Sequence, residues 1–212
     1  MGMIKEVIQQ TKNRFVNMYE LKSVNKKGNE FSYFLASRAK NQEGLKLSSR
    51  KTNADGVSIY AVVKGASQAE DRIILVKQYR YTIDSVLYEM PAGLVEEGED
   101  FHEAAVRELK EETGMNLHPI PVSNAIEKPF FTTVGMCDEA CAAVYGYADG
   151  EVNYELLEDG EELEVVLVDR KEAARILKEE KVALLCAYQL MHFIHDEQVF
   201  GFLDSFPLGM DR

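Results

Sequence analysis

Between Glu96 and Glu112 the sequence holds eight acids, Glu96, Glu97, Glu99, Asp100, Glu103, Glu108, Glu111 and Glu112, against two bases, Arg107 and Lys110. At 3.6 residues per turn Glu108, Glu111 and Glu112 share one helix face. A solvated like-charge pair one turn apart costs only about 0.2–0.5 kcal/mol, so an acidic face turned to water is tolerable. Two features point instead to a bound cation. Arg107 can reach Glu111 one turn on or fold back to the loop acid Glu99, which would orient the carboxylates. The preceding EMPAG stretch ends a strand at Gly93 and would leave backbone carbonyls beside them. Carboxylate and carbonyl oxygens are the ligands that Mg2+ or Mn2+ takes.

The elements that must hold these groups are legible around them. FHEAAVRELKEET reads as a helix, with Asp100 as N-cap, Glu103 three residues on, and Gly114 as the left-handed stop. Before it, VSIYAVVK and RIILVKQYRY alternate and are β-branched, a hairpin in a larger sheet, and VLYEMPAG is a short strand ended by Pro91 and Gly93. After it come strand-like LHPIPVS, ACAAVYGYA and LEVVLVD, then helices at RKEAARILKEE and VALLCAYQLMHFIHD. Residues 1 to about 50 carry strand-like FVNMYELKSV and EFSYFLASRA around the turn NKKGN. The order, without βαβ alternation, predicts an α+β fold with a boundary near residue 50, so that 1–50 form a β subdomain and 51–212 the main domain.

The 212 residues are 46% hydrophobic and 28% charged, the balance of a folded chain. The net charge of −12, from 24 Lys and Arg against 36 Asp and Glu, argues against a nucleic-acid partner. No apolar run has membrane-spanning length and the start lacks a signal-peptide core, so a cytoplasmic setting is expected. Cys137, Cys141 and Cys186 are too few for a disulfide framework. Cys137 and Cys141 could join His192 and His195 at zinc by spacing alone, although the histidines sit in an ordinary helical pattern.

Residues 93–115, GLVEEGEDFHEAAVRELKEETGM, resemble the complete Nudix box, at Gly93, Glu99, Arg107, Glu108, Leu109, Glu111, Glu112, Gly114 and Met115. The resemblance implies a Nudix-type mixed sheet sandwiched by helices, with a small N-terminal β-rich subdomain. It also implies hydrolysis of a nucleoside diphosphate linked to a further moiety, helped by Mg2+ or possible Mn2+. QYRYTIDSVLYEMPAG resembles a stretch of the ADP-ribose and ADP-sugar pyrophosphatases, with Met90 in place of Leu. PFFTTVGMCDEACAAVYGYA is similar to their proline-bearing loop, with Pro129 set further off and Cys137 for the usual Ser. Carried over, the Ala92 carbonyl, Glu108, Glu111 and Glu112 become metal ligands, and Glu99 and Arg107 orienters. Glu161, then Glu162, in the acidic loop before LEVVLVD become candidates for general base. Arg80 faces substrate phosphate or nucleobase, and Glu89 supports the site.

The same resemblance implies a homodimer in which the N-terminal sheet completes each pocket. Phe31, Tyr33 and Phe34 would then either stack on adenine or lie buried in their sheet. The expected reaction converts ADP-ribose, or a related nucleoside diphosphate sugar, to AMP and ribose 5-phosphate. UDP- or GDP-sugars, dinucleoside polyphosphates and oxidised nucleoside triphosphates are the alternatives. A non-catalytic ADP-ribose-binding module is a further one, opposed by the presence of all three box carboxylates.

Overall fold

The computed structural model describes residues 2–157, 160–206 and 208. The strands β1 (Met3–Gln9), β2 (Asn17–Val24) and β3 (Glu30–Ser37) come first, then a single helical turn, α1 (Lys46–Ser49). Next are β4 (Gly56–Val63), β5 (Arg72–Arg80), β6 (Ser85–Glu89), β7 (Ala92–Leu94) and helix α2 (Phe101–Thr113). They are followed by β8 (Asn116–Pro119), β9 (Phe130–Phe131), β10 (Ala140–Asp149), β11 (Leu163–Val168), α3 (Arg170–Glu179) and α4 (Leu184–His195). The chain is α+β. Among the described residues no helix is long and apolar enough to cross a membrane.

Two compact units result, Met1–Asp55 with Pro129–Cys141, and Gly56–Lys128 with Ala142–Arg212. In the first, β1, β2 and β3 form an antiparallel sheet in that order. Its one apolar face closes on Tyr19, Leu21, Leu35 and Leu45. The segment 129–141, expected with the main domain, groups here instead. The Ala36 amide donates to the Met136 carbonyl at 2.9 Å, the Tyr33 hydroxyl donates to the Gly135 carbonyl at 2.7 Å, and Arg38 pairs with Glu139 at 3.1 Å. β1, whose residues 3–9 carry no strand signal of their own, forms because β2 supplies its partner edge.

In the second unit the sheet order is β11-β5-β4-β10-β8, with β6 along β5 and β7 along β4. Alternation along the strands builds two cores. Val57, Ile59, Ala61 and Ile74 pack with Ala104, Ala105 and Leu109 of α2. Tyr60, Val62, Ile73 and Leu75 pack on the other face with Ala173 and Ile176 of α3 and Leu190 and Phe193 of α4. The sheet is therefore sandwiched by helices, and each strand position has a defined side.

Candidate active site

The start of α2 is set by Asp100, whose carboxylate accepts from the His102 amide at 2.9 Å. Gly114, at φ 75°, ends it with its amide on the Lys110 carbonyl. Between these stops Leu109, Ala105 and Ala104 bury toward β4, which rotates Glu108 and Glu112 against β7. The Ala92 amide donates to the Glu112 carboxylate at 3.1 Å. Gly93 has no side chain where Glu108 lies: a Cβ there would fall 1.9–2.2 Å from the Glu108 carboxyl atoms.

Arg107 ties the loop to the helix. Its guanidinium donates to both Glu99 oxygens at 2.9 Å, to Glu108 at 2.8 Å, to Glu111 at 2.9 Å and to the Leu94 carbonyl at 3.0 Å. The two alternatives open in the sequence, Glu111 or Glu99, are both realised. The guanidinium, with help from the Glu96 amide, holds Glu99 down at about 2, and the surrounding carboxylates raise Arg107 itself.

On the α2 face of the sheet, Arg80 donates to Glu89 at 2.6 Å. Register β11 to β5 pairs Leu163 with Gln78. Beyond the strand end the Tyr79 amide donates to the Glu162 carbonyl at 3.1 Å, which carries that register on by one residue. Leu167 and Val165 face α2, so by alternation Glu161 does also, opposite Arg80. Glu162 faces the other way with Tyr79, whose phenol is raised by its hydrogen bond to Asp84, by desolvation, by Tyr81 and by the charge of Glu162.

These groups form one electrostatic cluster. Glu112 is only 3% exposed, and burial pushes its carboxyl well up, opposed by the Ala92 amide and Arg80 and reinforced by Glu161 and Glu108. Burial likewise raises Glu108, with Arg107 opposing and Glu111 and Glu161 adding to it. A buried carboxylate facing two others, with one amide as its hydrogen-bond donor and Arg107 and Arg80 already shared with Glu99 and Glu89, is a donor set short of positive charge. It fits a hard divalent cation held by Glu108, Glu112 and the Ala92 backbone, with Glu111 and Glu161 as further oxygens. Among the described residues no group of three or more His, Cys, Asp or Glu side chains is already gathered at metal-ligand geometry. Glu158 and Asp159 of the acidic loop lie outside the described residues.

The zinc alternative finds no such group either. His192 stacks on Phe202 at 4.6 Å, and His195 meets Asp196 at 3.0 Å. Phe31, Tyr33 and Phe34 are exposed by 46%, 39% and 57%, so they are not the buried sheet residues that one expectation allowed. The sequence reading did not single out the Leu94 carbonyl, which holds Arg107, or Gln78, which shares a sheet face with Arg80. The Leu94 carbonyl carries no side-chain signal, whereas Gln78 lies two residues before Arg80 and thus on its face, a period-2 relation that the QYR stretch already contains.

The sheet end, the acidic helix after a Gly-bounded strand and the arginine clasp bring the carboxylates of the 93–115 segment together. The family described as NUDIX domain matches residues 53–187, and the chain belongs to that family. It resembles ADP-ribose pyrophosphatase of Saccharomyces cerevisiae, 36% identical over 116 residues that make 54% of this chain and 50% of the yeast protein. An ADP-ribose pyrophosphatase of Bacillus subtilis is 32% identical over 126 residues, 58% of this chain and 64% of that one. The chain thus spans between half and two thirds of these relatives. A solved structure titled as an ADP compounds hydrolase superposes with TM-score 0.61 at 21% identity over 84% of this chain and 83% of that one, which shows the fold.

Proposed function

We propose that the protein hydrolyses the pyrophosphate bond of ADP-ribose, or of a related nucleoside diphosphate sugar, with Mg2+ and with Mn2+ as a substitute. The observation that carries this reading is the nearly buried Glu112 carboxylate, facing Glu108 and Glu161 and short of positive charge. The names of the yeast and B. subtilis relatives support the substrate class. A bound divalent cation would neutralise pyrophosphate oxygens and make water a better nucleophile.

This chain's residues do the rest. Arg107, fixed by Glu99, keeps Glu108 and Glu111 aimed into the site. Arg80, steadied by Glu89, binds a phosphate oxygen. Glu161 accepts a proton from the attacking water as its oxygen bonds to phosphorus and the bridging P–O bond breaks, giving AMP and ribose 5-phosphate from ADP-ribose. Nucleic acid and membrane are not partners in this reading, and three free cysteines suit a cytoplasmic setting. The exposed aromatic residues of β3 support a homodimer.

The test is turnover of ADP-ribose with Mg2+ by the parent and by Glu112→Gln, with AMP and ribose 5-phosphate read by chromatography. The parent releases both products, and the variant loses at least about a hundredfold in kcat, on the scale of removing a charge-stabilising group. Undiminished turnover by Glu112→Gln sinks the carboxylate mechanism. A parent that spares ADP-ribose but cleaves UDP-glucose sinks the substrate reading alone.

A further inference from the structure

Gln78 is a polar residue only 7% exposed, near the end of β5. Its strand neighbours by register are Leu163 on β11 and Leu87 on β6. Neither side chain can answer a carboxamide, and among the described residues the Gln78 side chain has no hydrogen-bond partner. The residue is more than nine-tenths buried, yet its polar atoms are not among the fully buried ones left without a partner, so the carboxamide tip is open to a ligand.

Its direction is fixed by the strand. Ile74 packs under α2, and the β5–β6 register runs unbroken from Val76 to Arg80, so Gln78 shares the α2 face with Arg80. Arg80 acts electrostatically on Glu112, and Glu161 lies opposite Arg80. Gln78 therefore stands one pleat, about 7 Å, from the groups that handle the pyrophosphate.

We infer that the Gln78 carboxamide contacts the substrate, binding a sugar hydroxyl next to the pyrophosphate; this rests on the hydrolase reading above. Phosphate oxygens are acceptors only and are served by Arg80. A hydroxyl both donates and accepts, and so matches the two ends of a carboxamide. The hydroxyl belongs either to the ribose of the nucleoside or to the sugar on the outer phosphate.

The experiment compares kcat/KM of the parent and Gln78→Met on three substrates: ADP-ribose, its 2′,3′-dideoxyadenosine analogue, and the methyl ester of ADP. Methionine keeps the length and removes the polar ends. The parent's preference for ADP-ribose over one truncated substrate shrinks about three- to tenfold in the variant, the effect of one neutral hydrogen bond. Which analogue shows the change identifies the sugar. Equal losses on all three substrates, or no change on any, overturn the inference.

Thermal unfolding without substrate gives the second readout. A residue kept for substrate makes no hydrogen bond that folding needs, so Gln78→Met leaves Tm unchanged or higher. A fall in Tm, or failure to fold, makes Gln78 structural and overturns the inference. If the parent spares ADP-ribose, the substrate reading fails by itself, and the comparison passes to UDP-glucose and the methyl ester of UDP.

Discussion

Glu161 and Glu162 are the same residue type in adjacent positions, and composition cannot separate them. The bond from the Tyr79 amide to the Glu162 carbonyl does, by carrying strand alternation past Val168–Leu163 to the two acids. Glu161 then adds to the charge felt by Glu108 and Glu112, while Glu162 acts on Tyr79. Glu161→Gln is expected to lower kcat by about 10²–10⁴, the range for a general base, and Glu162→Gln by no more than a few fold. Steady-state kinetics with Mg2+ in excess check this, and a reversed order would move the base to Glu162. The identity of the acids was legible in the sequence. The family resemblance put Glu161 ahead of Glu162, but a physical reason for that order was not legible, because it depends on a pairing with a strand some eighty residues earlier.

Helix α2 was legible almost to the residue, since its cap, its stop and its apolar spacing are local. What the sequence could not convey is the brace at its first turn. The His102 ring reaches Asp100 at 2.7 Å through Nδ1 and Glu127 at 2.7 Å through Nε2, and stacks on Phe101 at 4.2 Å. Glu127 is distant in the chain, so no local pattern announces it. Burial alone would depress the imidazole, but the hydrogen bonds to Glu127 and Asp100 outweigh it and His102 is raised. A raised histidine contributes stability that is complete below its unfolded value, about 6.5, and is lost as pH rises through the folded one. Hence His102→Gln should lower Tm at pH 5.5 more than at pH 9. Unfolding scans at both values check it, and an equal gap at the two would remove charge from the brace.

At the scale of the whole molecule the first unit exposes Phe31, Phe34, Phe130, Val134 and Met136, more apolar side chains than a free surface normally shows together. The proposed homodimer predicts sedimentation at twice the chain mass at micromolar concentration, and a shift to monomer in Phe31→Ser/Phe34→Ser with the second unit still folded by circular dichroism. A parent that sediments as a monomer ends that reading. The strands β2 and β3 were legible from their alternation, but the recruitment of 129–141 was not. It rests on pairings such as Ala36 with Met136, a hundred residues apart. That recruitment bears on how the gene can be divided. Because the chain leaves the first unit at Asp55, returns at Pro129 and leaves again after Cys141, no single cut separates the two units. A fragment starting near residue 51 would carry a thirteen-residue piece of someone else's fold, so shuffling of these units among larger proteins has to proceed by nested insertion rather than end-to-end joining.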